Sequence, residues 1–167
     1  MPTQPDDVTV EFLYLDRETC ERCRGTEAAV ESALAAVRPA LALAGASVVL
    51  DRVHVDSAAT ADAVGFAVSP TVRVDGRDVQ PDFETADCGC AGEGTVPCRV
   101  WRDDGRRRER APVGLLADAV LRAAYGVEPA SRKRNRAADR RDGPQPVASY
   151  FGRGSHDGDE GGDGGCC

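Results

Sequence analysis

The first half of the chain alternates between continuous apolar runs and segments whose apolar residues recur at three- and four-residue steps. Residues 8–15 are a nearly continuous apolar, β-branched and aromatic run, which is typical of a buried strand, and residues 47–55 are predicted as a second strand. Between them, the apolar residues of segment 30–41 fall on one stripe of a helix. Thr19 is the expected N-cap of this helix and Gly45 its expected end. The pattern therefore predicts a β-α-β unit.

The following segment predicts two hairpins between two helices. Asp75-Gly76 lies between β-branched residues, a strong signal for a tight hairpin turn, and Asp104-Gly105 gives a weaker one. The predicted elements are a helix at 58–66, a hairpin over 72–79, a second hairpin with arms 98–101 and 107–110, and a helix at 113–125. The order without the second hairpin is β-α-β-α-β-β-α, which predicts an α/β fold with helix crossovers between parallel strands.

Composition divides the chain after about Gly126. Residues 1–126 are predicted to form one domain, with a cysteine-containing insertion at about 82–111 before the last helix. Residues 127–167 are first basic and then rich in Gly and Asp, so they bury too little apolar surface to offset their ordering entropy. We expect this tail to be disordered. Its basic part lacks interleaved aromatic residues, which favours a solvated linker over a nucleic-acid contact.

Charge, hydropathy and the N-terminal sequence predict where in the cell the protein is found, and this bears on the state of its cysteines. The formal net charge is −7, and no stretch approaches the roughly 20 apolar residues of a membrane span. The N-terminus lacks the basic start and apolar run of a signal peptide, so we expect a cytoplasmic protein without a membrane partner. In that compartment the seven cysteines should be mostly reduced, and catalytic or metal-binding roles are more common there than structural disulfides.

Cys20 and Cys23 form a Cys-x-x-Cys pair between the first strand and the first helix. A thiol at a helix N-terminus faces free N–H groups and the positive end of the helix dipole, which favour the thiolate. The spacing places the second sulfur one helical turn behind the first, with Cys20 exposed as attacker and Cys23 partly buried as resolver. Arg22 and Arg24 should lower the thiol pKa while neighbouring carboxylates raise it, so the net direction stays open. The same spacing also serves as half of a zinc site.

Together these motifs resemble the thioredoxin superfamily over about residues 8–125. The resemblance rests on the strand–CxxC–helix start, Ser69-Pro70-Thr71 before a short strand, the Asp-Gly hairpin and the closing helix. More narrowly, TCxRCxxT, SPT, a later CxC and CRVW resemble a small archaeal and bacterial thioredoxin-like family of unknown function. The chain departs from thioredoxin itself because Glu-Arg stands between the cysteines in place of Gly-Pro.

The resemblance implies a three-layer thioredoxin-like fold and a site around the cysteine pair. It implies that Pro70 is cis and packs beside Cys20 and Cys23. Ser69, Pro70 and Thr71 would line the substrate groove, where the backbone next to the proline pairs with a substrate strand. The implied partner is a protein disulfide or thiol.

Separate hypotheses apply to the five further cysteines. Cys88, Cys90 and Cys98 lie in the insertion, where three close thiols suggest a soft-metal site or a second redox pair. Zinc would need a fourth ligand such as His54, Cys20 or a tail cysteine. These three can equally be loop thiols, with Cys98 buried as a small apolar residue. Cys166 and Cys167 end the chain and could deliver a thiol to another disulfide, or chelate a soft metal.

Two functions from different classes follow from these residues. The leading hypothesis is a thiol–disulfide oxidoreductase that acts through Cys20 and Cys23 and requires no cofactor. The alternative is a thiol-based metal or metalloid binder on the same scaffold, with zinc or another soft metal as its ligand. A third hypothesis is a partner-binding domain with a vestigial cysteine pair.

Overall fold

The computed structural model of the protein describes residues 4–87 and 97–128, and everything stated below about the structure refers to these residues. The strands are β1 (Val8–Tyr14), β2 (Val48–His54), β3 (Thr71–Val74), β4 (Arg77–Asp78), β5 (Glu84–Asp87), β6 (Pro97–Asp103) and β7 (Arg106–Arg108). The helices are α1 (Glu21–Ala44), α2 (Ala58–Ala63) and α3 (Val113–Ala124). The fold is mixed α/β.

The main sheet has four strands in the order β2-β1-β3-β4. Strands β1 and β2 are parallel and are joined through α1, as the β-α-β pattern predicts. Strand β3 pairs with β1 in the antiparallel direction and turns back into β4. Asp75 and Gly76 both have positive φ angles, of 48° and 75°, which is the backbone that a tight Asp-Gly hairpin requires. The sheet is therefore mixed.

Helices cover both faces of this sheet. Successive residues of a strand point to opposite faces. Phe12 belongs to a large core cluster shared with α1 and α3, whereas Leu13 belongs to a smaller cluster that contains Ala61 of α2 and Phe66. Burial on both faces explains why β1 is almost continuously apolar.

The first helix begins one residue later than its expected cap implies. Cys20, rather than Thr19, is the N-cap, and its sulfur accepts a hydrogen bond from the N–H of Cys23. The Thr19 hydroxyl lies in the preceding loop and donates to the carboxylate of Asp16. The predicted end is confirmed, because Gly45 takes the left-handed backbone with φ of 94°.

The second helix ends earlier than its predicted span of 58–66. It begins after Ser57, whose hydroxyl accepts from the N–H of Thr60, and its last residue is Ala63. Gly65 has a φ of 59°, a left-handed conformation that stops the helix before Phe66. The third helix lies where it was predicted, with Pro112 as N-cap.

The insertion forms a second, three-stranded sheet in the order β5-β6-β7. The hairpin around Asp104-Gly105 is confirmed. Its first arm, β6, is longer than the predicted 98–101, and its second arm, β7, is shorter than the predicted 107–110. Strand β5 was not predicted, because its sequence Glu-Thr-Ala-Asp has no apolar run to indicate a strand. Strand β6 contacts the main body through a β-bridge between Cys98 and Ser69 and through Trp101, which belongs to the large core cluster.

Several predictions lie outside the described residues. They concern Cys88, Cys90, Cys166 and Cys167, and all of the tail beyond Glu128. The structure leaves the predictions for these positions as they stand.

Candidate functional site

The cysteine pair lies where the loop after β1 enters α1. Asp16 shapes this loop, because its carboxylate accepts from the N–H groups of Glu18 and Thr19 and from the Thr19 hydroxyl. The loop places Cys20 at the N-cap, half-buried, with its sulfur 3.4 Å from the backbone nitrogen of Cys23. Cys20 and Cys23 are both free thiols.

Hydrogen bonds lower the pKa of Cys20 to about 6 from an ordinary value of 9.0. The largest cause is a hydrogen bond from the Cys23 side chain, and the N–H groups of Cys23 and Arg22 add to it. Partial burial and the negative charge of Asp16 act in the opposite direction. The direction that the sequence left open is thus downward. At neutral pH most Cys20 side chains are thiolates, the nucleophilic form of cysteine.

The pKa of Cys23 moves the other way. Its thiol is 1% exposed, and the hydrogen bond that it gives to the Cys20 thiolate, together with burial, raises its pKa above the ordinary range. The hydroxyl of Ser69 lies 3.5 Å from the Cys23 sulfur and partly offsets this rise. The pair therefore has one exposed, ionised sulfur and one buried, protonated sulfur.

The two arginines expected to act on the pair are turned toward carboxylates. Arg22 lies 3.4 Å from a carboxylate oxygen of Glu109, and Arg24 lies 3.9 Å from one of Glu21. The main lowering of the Cys20 pKa comes from hydrogen bonds, as described above.

The Ser69-Pro70-Thr71 segment meets the pair through Ser69. The Ser69–Pro70 peptide bond is cis, the geometry that the resemblance implies. The Ser69 hydroxyl accepts from the N–H of Leu15, 3.3 Å away, in addition to its contact with Cys23. Thr71 is buried, and its hydroxyl donates to the carbonyl of Val68. Ser69 is thus in direct contact with the pair through Cys23.

The backbone of Ser69 is already paired within the chain. Its carbonyl accepts from the N–H of Arg99, 2.8 Å away, next to the bridge between Ser69 and Cys98. Cys98 is 2% exposed and is disulfide-bonded. A sulfur in a disulfide is not available as a metal ligand, so the metal hypothesis for Cys98 requires its reduction first.

Arg99 is a site residue that sequence reasoning missed. Its guanidinium is completely buried and forms two hydrogen bonds with the carboxylate of Asp78. It also donates to Thr71 and lies 4.8 Å from the ring centroids of both Phe83 and Trp101. A signal was present, since an arginine inside an apolar strand needs a buried partner, but nothing in the sequence identified that partner as Asp78.

The described part of the chain has neither a metal-binding cluster nor a membrane-spanning helix. Within residues 4–87 and 97–128, no group of three or more His, Cys, Asp or Glu side chains is arranged to hold a metal ion. His54 contacts the carbonyl of Leu15 and stacks on Tyr14. None of the helices in those two ranges is both long and apolar enough to span a bilayer.

Comparison with known proteins gives one match. No curated protein and no solved structure matches the chain. A family model described as a domain of unknown function, DUF2703, matches residues 8–120, from the first residue of β1 into the last helix. The match covers the cysteine pair, the Ser69–Pro70 segment and the β5–β7 sheet. The chain therefore belongs to the DUF2703 family.

Proposed function

We propose that this protein is a thiol–disulfide oxidoreductase, in which Cys20 attacks and Cys23 resolves, on a thioredoxin-like scaffold. The observation that carries the proposal is the opposite character of the two sulfurs. Cys20 is half-buried with a pKa of about 6, and Cys23 is buried and protonated one helical turn away. An exchange reaction needs one sulfur that attacks from the surface and a second that is held in reserve.

The reaction proceeds in two balanced steps. The Cys20 thiolate attacks one sulfur of a substrate disulfide, forming a mixed disulfide, and the other substrate sulfur leaves as a thiolate. Cys23 then loses its proton and attacks the Cys20 sulfur, which releases the second substrate thiol. Two protein thiols become the Cys20–Cys23 disulfide while one substrate disulfide becomes two thiols. The substrate class is a protein disulfide, and the proposed location is the cytoplasm.

The hydrogen bonds of the site favour this order of events. The main cause of the high Cys23 pKa is the hydrogen bond to the Cys20 thiolate. That thiolate disappears once Cys20 is in a mixed disulfide, so the pKa of Cys23 falls when Cys23 must attack. The Ser69 hydroxyl, 3.5 Å away, then remains to stabilise the Cys23 thiolate.

Insulin reduction driven by dithiothreitol tests the proposal. Cys20→Ser is expected to reduce the rate to that of dithiothreitol alone, because it removes the attacking sulfur. Cys23→Ser is expected to accumulate a mixed disulfide between Cys20 and the substrate. Ser32→Ala, an exposed hydroxyl on the same helix, is the matched control and should retain the full rate. Undiminished activity of Cys20→Ser would refute the proposal.

A further inference from the structure

Strand β6 places a third cysteine beside the Cys20–Cys23 pair. Cys98 and Ser69 form a parallel β-bridge, and the N–H of Arg99 donates to the Ser69 carbonyl at 2.8 Å. Bridged residues of neighbouring strands lie about 4.8 Å apart, and their side chains leave the backbone on the same side. The Ser69 side chain points to the Cys23 sulfur at 3.5 Å. The side chain of Cys98 therefore leaves its strand toward the same region.

The position of Cys98 is fixed by its neighbour along β6. Arg99 is fully buried, bound to Asp78 at 2.5 and 2.8 Å, and stacked against aromatic rings. This anchor ties β6 to β4, and the bridge ties it to Ser69. A strand held at two points cannot slide along the main sheet, so Cys98 stays paired with Ser69, the residue whose hydroxyl contacts Cys23.

The redox states of the three cysteines differ. Cys20 and Cys23 are free thiols, whereas Cys98 is one half of a disulfide. Because no other cysteine lies within residues 4–87 and 97–128, its partner is outside the described residues. A dithiol and a disulfide in adjacent positions are the two reactants of a thiol–disulfide exchange.

We propose that Cys98 is a redox-active cysteine whose disulfide exchanges electrons with the Cys20–Cys23 pair inside one molecule. The Cys20 thiolate attacks the Cys98 sulfur, and the partner of Cys98 leaves as a thiolate. Cys23 then gives its proton to that thiolate through solvent and attacks Cys20, which releases Cys98 as a thiolate. Two thiols are oxidised and one disulfide is reduced, so the step needs no outside oxidant. The inference rests on the proposed function of Cys20 and Cys23.

A trapped disulfide tests the exchange. In the full-length Cys23→Ser variant, the exchange stops after its first step, so a Cys20–Cys98 disulfide should accumulate when the reduced protein is treated with oxidised glutathione. Trypsin with a glutamate-specific protease cuts after Glu93 and Arg99 and so separates Cys98 from Cys88 and Cys90. Mass spectrometry of alkylated digests then identifies the linked peptides. A Cys20–Cys98 linkage supports the proposal, and Cys20 linked only to glutathione or to other cysteines overturns it.

Dilution separates exchange within one molecule from exchange between molecules. A tethered thiol has an effective concentration on the order of mM, so the yield should not change over an about tenfold dilution of micromolar protein. A yield that falls in proportion to protein concentration overturns the proposal. The Cys23→Ser/Cys98→Ala double variant is the control, and it should lose the linkage.

A measurement on the unaltered chain tests the exchange in a way that does not depend on how the variants fold. The reduced protein, oxidised to an average of one disulfide per chain, and the oxidised protein, reduced to that same average, should show the same distribution of disulfides, because internal exchange equilibrates them. Distributions that depend on the direction of approach overturn the inference. Insulin reduction by the unaltered protein with no exchange to Cys98 would refute this inference while leaving the proposed function standing.

Discussion

At the scale of single residues, Cys20 is both the cap of α1 and the proposed nucleophile. A cap needs an acceptor for free N–H groups, and a thiolate is a charged acceptor at the positive end of a helix. The same hydrogen bonds that begin the helix therefore stabilise the reactive form. The sequence predicted the location of the pair but assigned the cap to Thr19. The structure instead has Thr19 in the loop before the helix, where its hydroxyl donates to Asp16, a contact that depends on how the loop folds.

The low pKa of Cys20 predicts the pH dependence of its alkylation. Iodoacetamide reacts with the thiolate, so the rate at Cys20 in the reduced protein should be half-maximal at about pH 6, rather than near the ordinary thiol value of 9.0. The tryptic peptide of residues 18–22 contains Cys20 and no other cysteine, so mass spectrometry reports on this site alone.

A second variant tests the cause of this shift. Cys23→Ala removes the side-chain donor that lowers the Cys20 pKa most, while the backbone donors remain. The midpoint should therefore rise in that variant. A wild-type midpoint near pH 9, or a midpoint unmoved by Cys23→Ala, would contradict the hydrogen-bond explanation.

At the scale of elements, β6 is held in place by a buried ion pair. Apolar periodicity predicted β6 as the first arm of a hairpin, and the Asp-Gly turn after it is confirmed. Its attachment beside Ser69 was not predictable, because it depends on Arg99 reaching Asp78 across a gap of 21 residues. Local sequence patterns indicate the secondary-structure propensity of a segment and which of its faces is buried. They do not indicate which distant side chain pairs with a buried charge.

Substituting Arg99 should destabilise the fold far more than substituting a surface arginine. Arg99→Gln leaves Asp78 without its partner and removes the cation stacked on Phe83 and Trp101, so we expect a loss of about 3 kcal/mol in the free energy of unfolding. Arg77→Gln is the matched control, because its ion pair with Glu128 is exposed and should be worth about 0–1 kcal/mol. Urea unfolding of the reduced proteins measures both. Equal losses in the two variants would contradict the role of Arg99 as an anchor.

At the scale of the whole molecule, the sequence predicted the elements better than their assembly. The order of the main-sheet elements followed from apolar periodicity, Asp-Gly turns and the glycine that ends α1, all of which act between near neighbours. The position of Cys98 beside Ser69 depends on a bridge between two distant segments and on the ion pair of Arg99 with Asp78. The sequence therefore identified Cys20, Cys23 and Cys98 as candidates but could not predict that Cys98 pairs beside Ser69.

The contacts at the two ends of the described chain predict the effect of shortening it. The N–H of Asp6 donates to the carbonyl of Ala124 at 2.7 Å, and Val127 closes the end of α3 through the carbonyl of Arg122. Both core clusters are built from residues between 8 and 124. A chain that ends at Glu128 should therefore keep its free energy of unfolding to within about 0.5 kcal/mol, as urea unfolding would measure.

The shortened chain also distinguishes two candidate locations for the cysteine that is bonded to Cys98. It lacks Cys166 and Cys167 but keeps Cys88 and Cys90. If the partner of Cys98 lies in the insertion, non-reducing peptide mapping of the oxidised shortened chain should still find Cys98 in an intramolecular disulfide. Alkylation of Cys20 in the reduced shortened chain should keep its midpoint of about pH 6. We expect this result, because a partner in the same insertion closes a shorter loop and costs less entropy. A free Cys98 in the oxidised shortened chain would contradict that prediction and assign the partner to the tail.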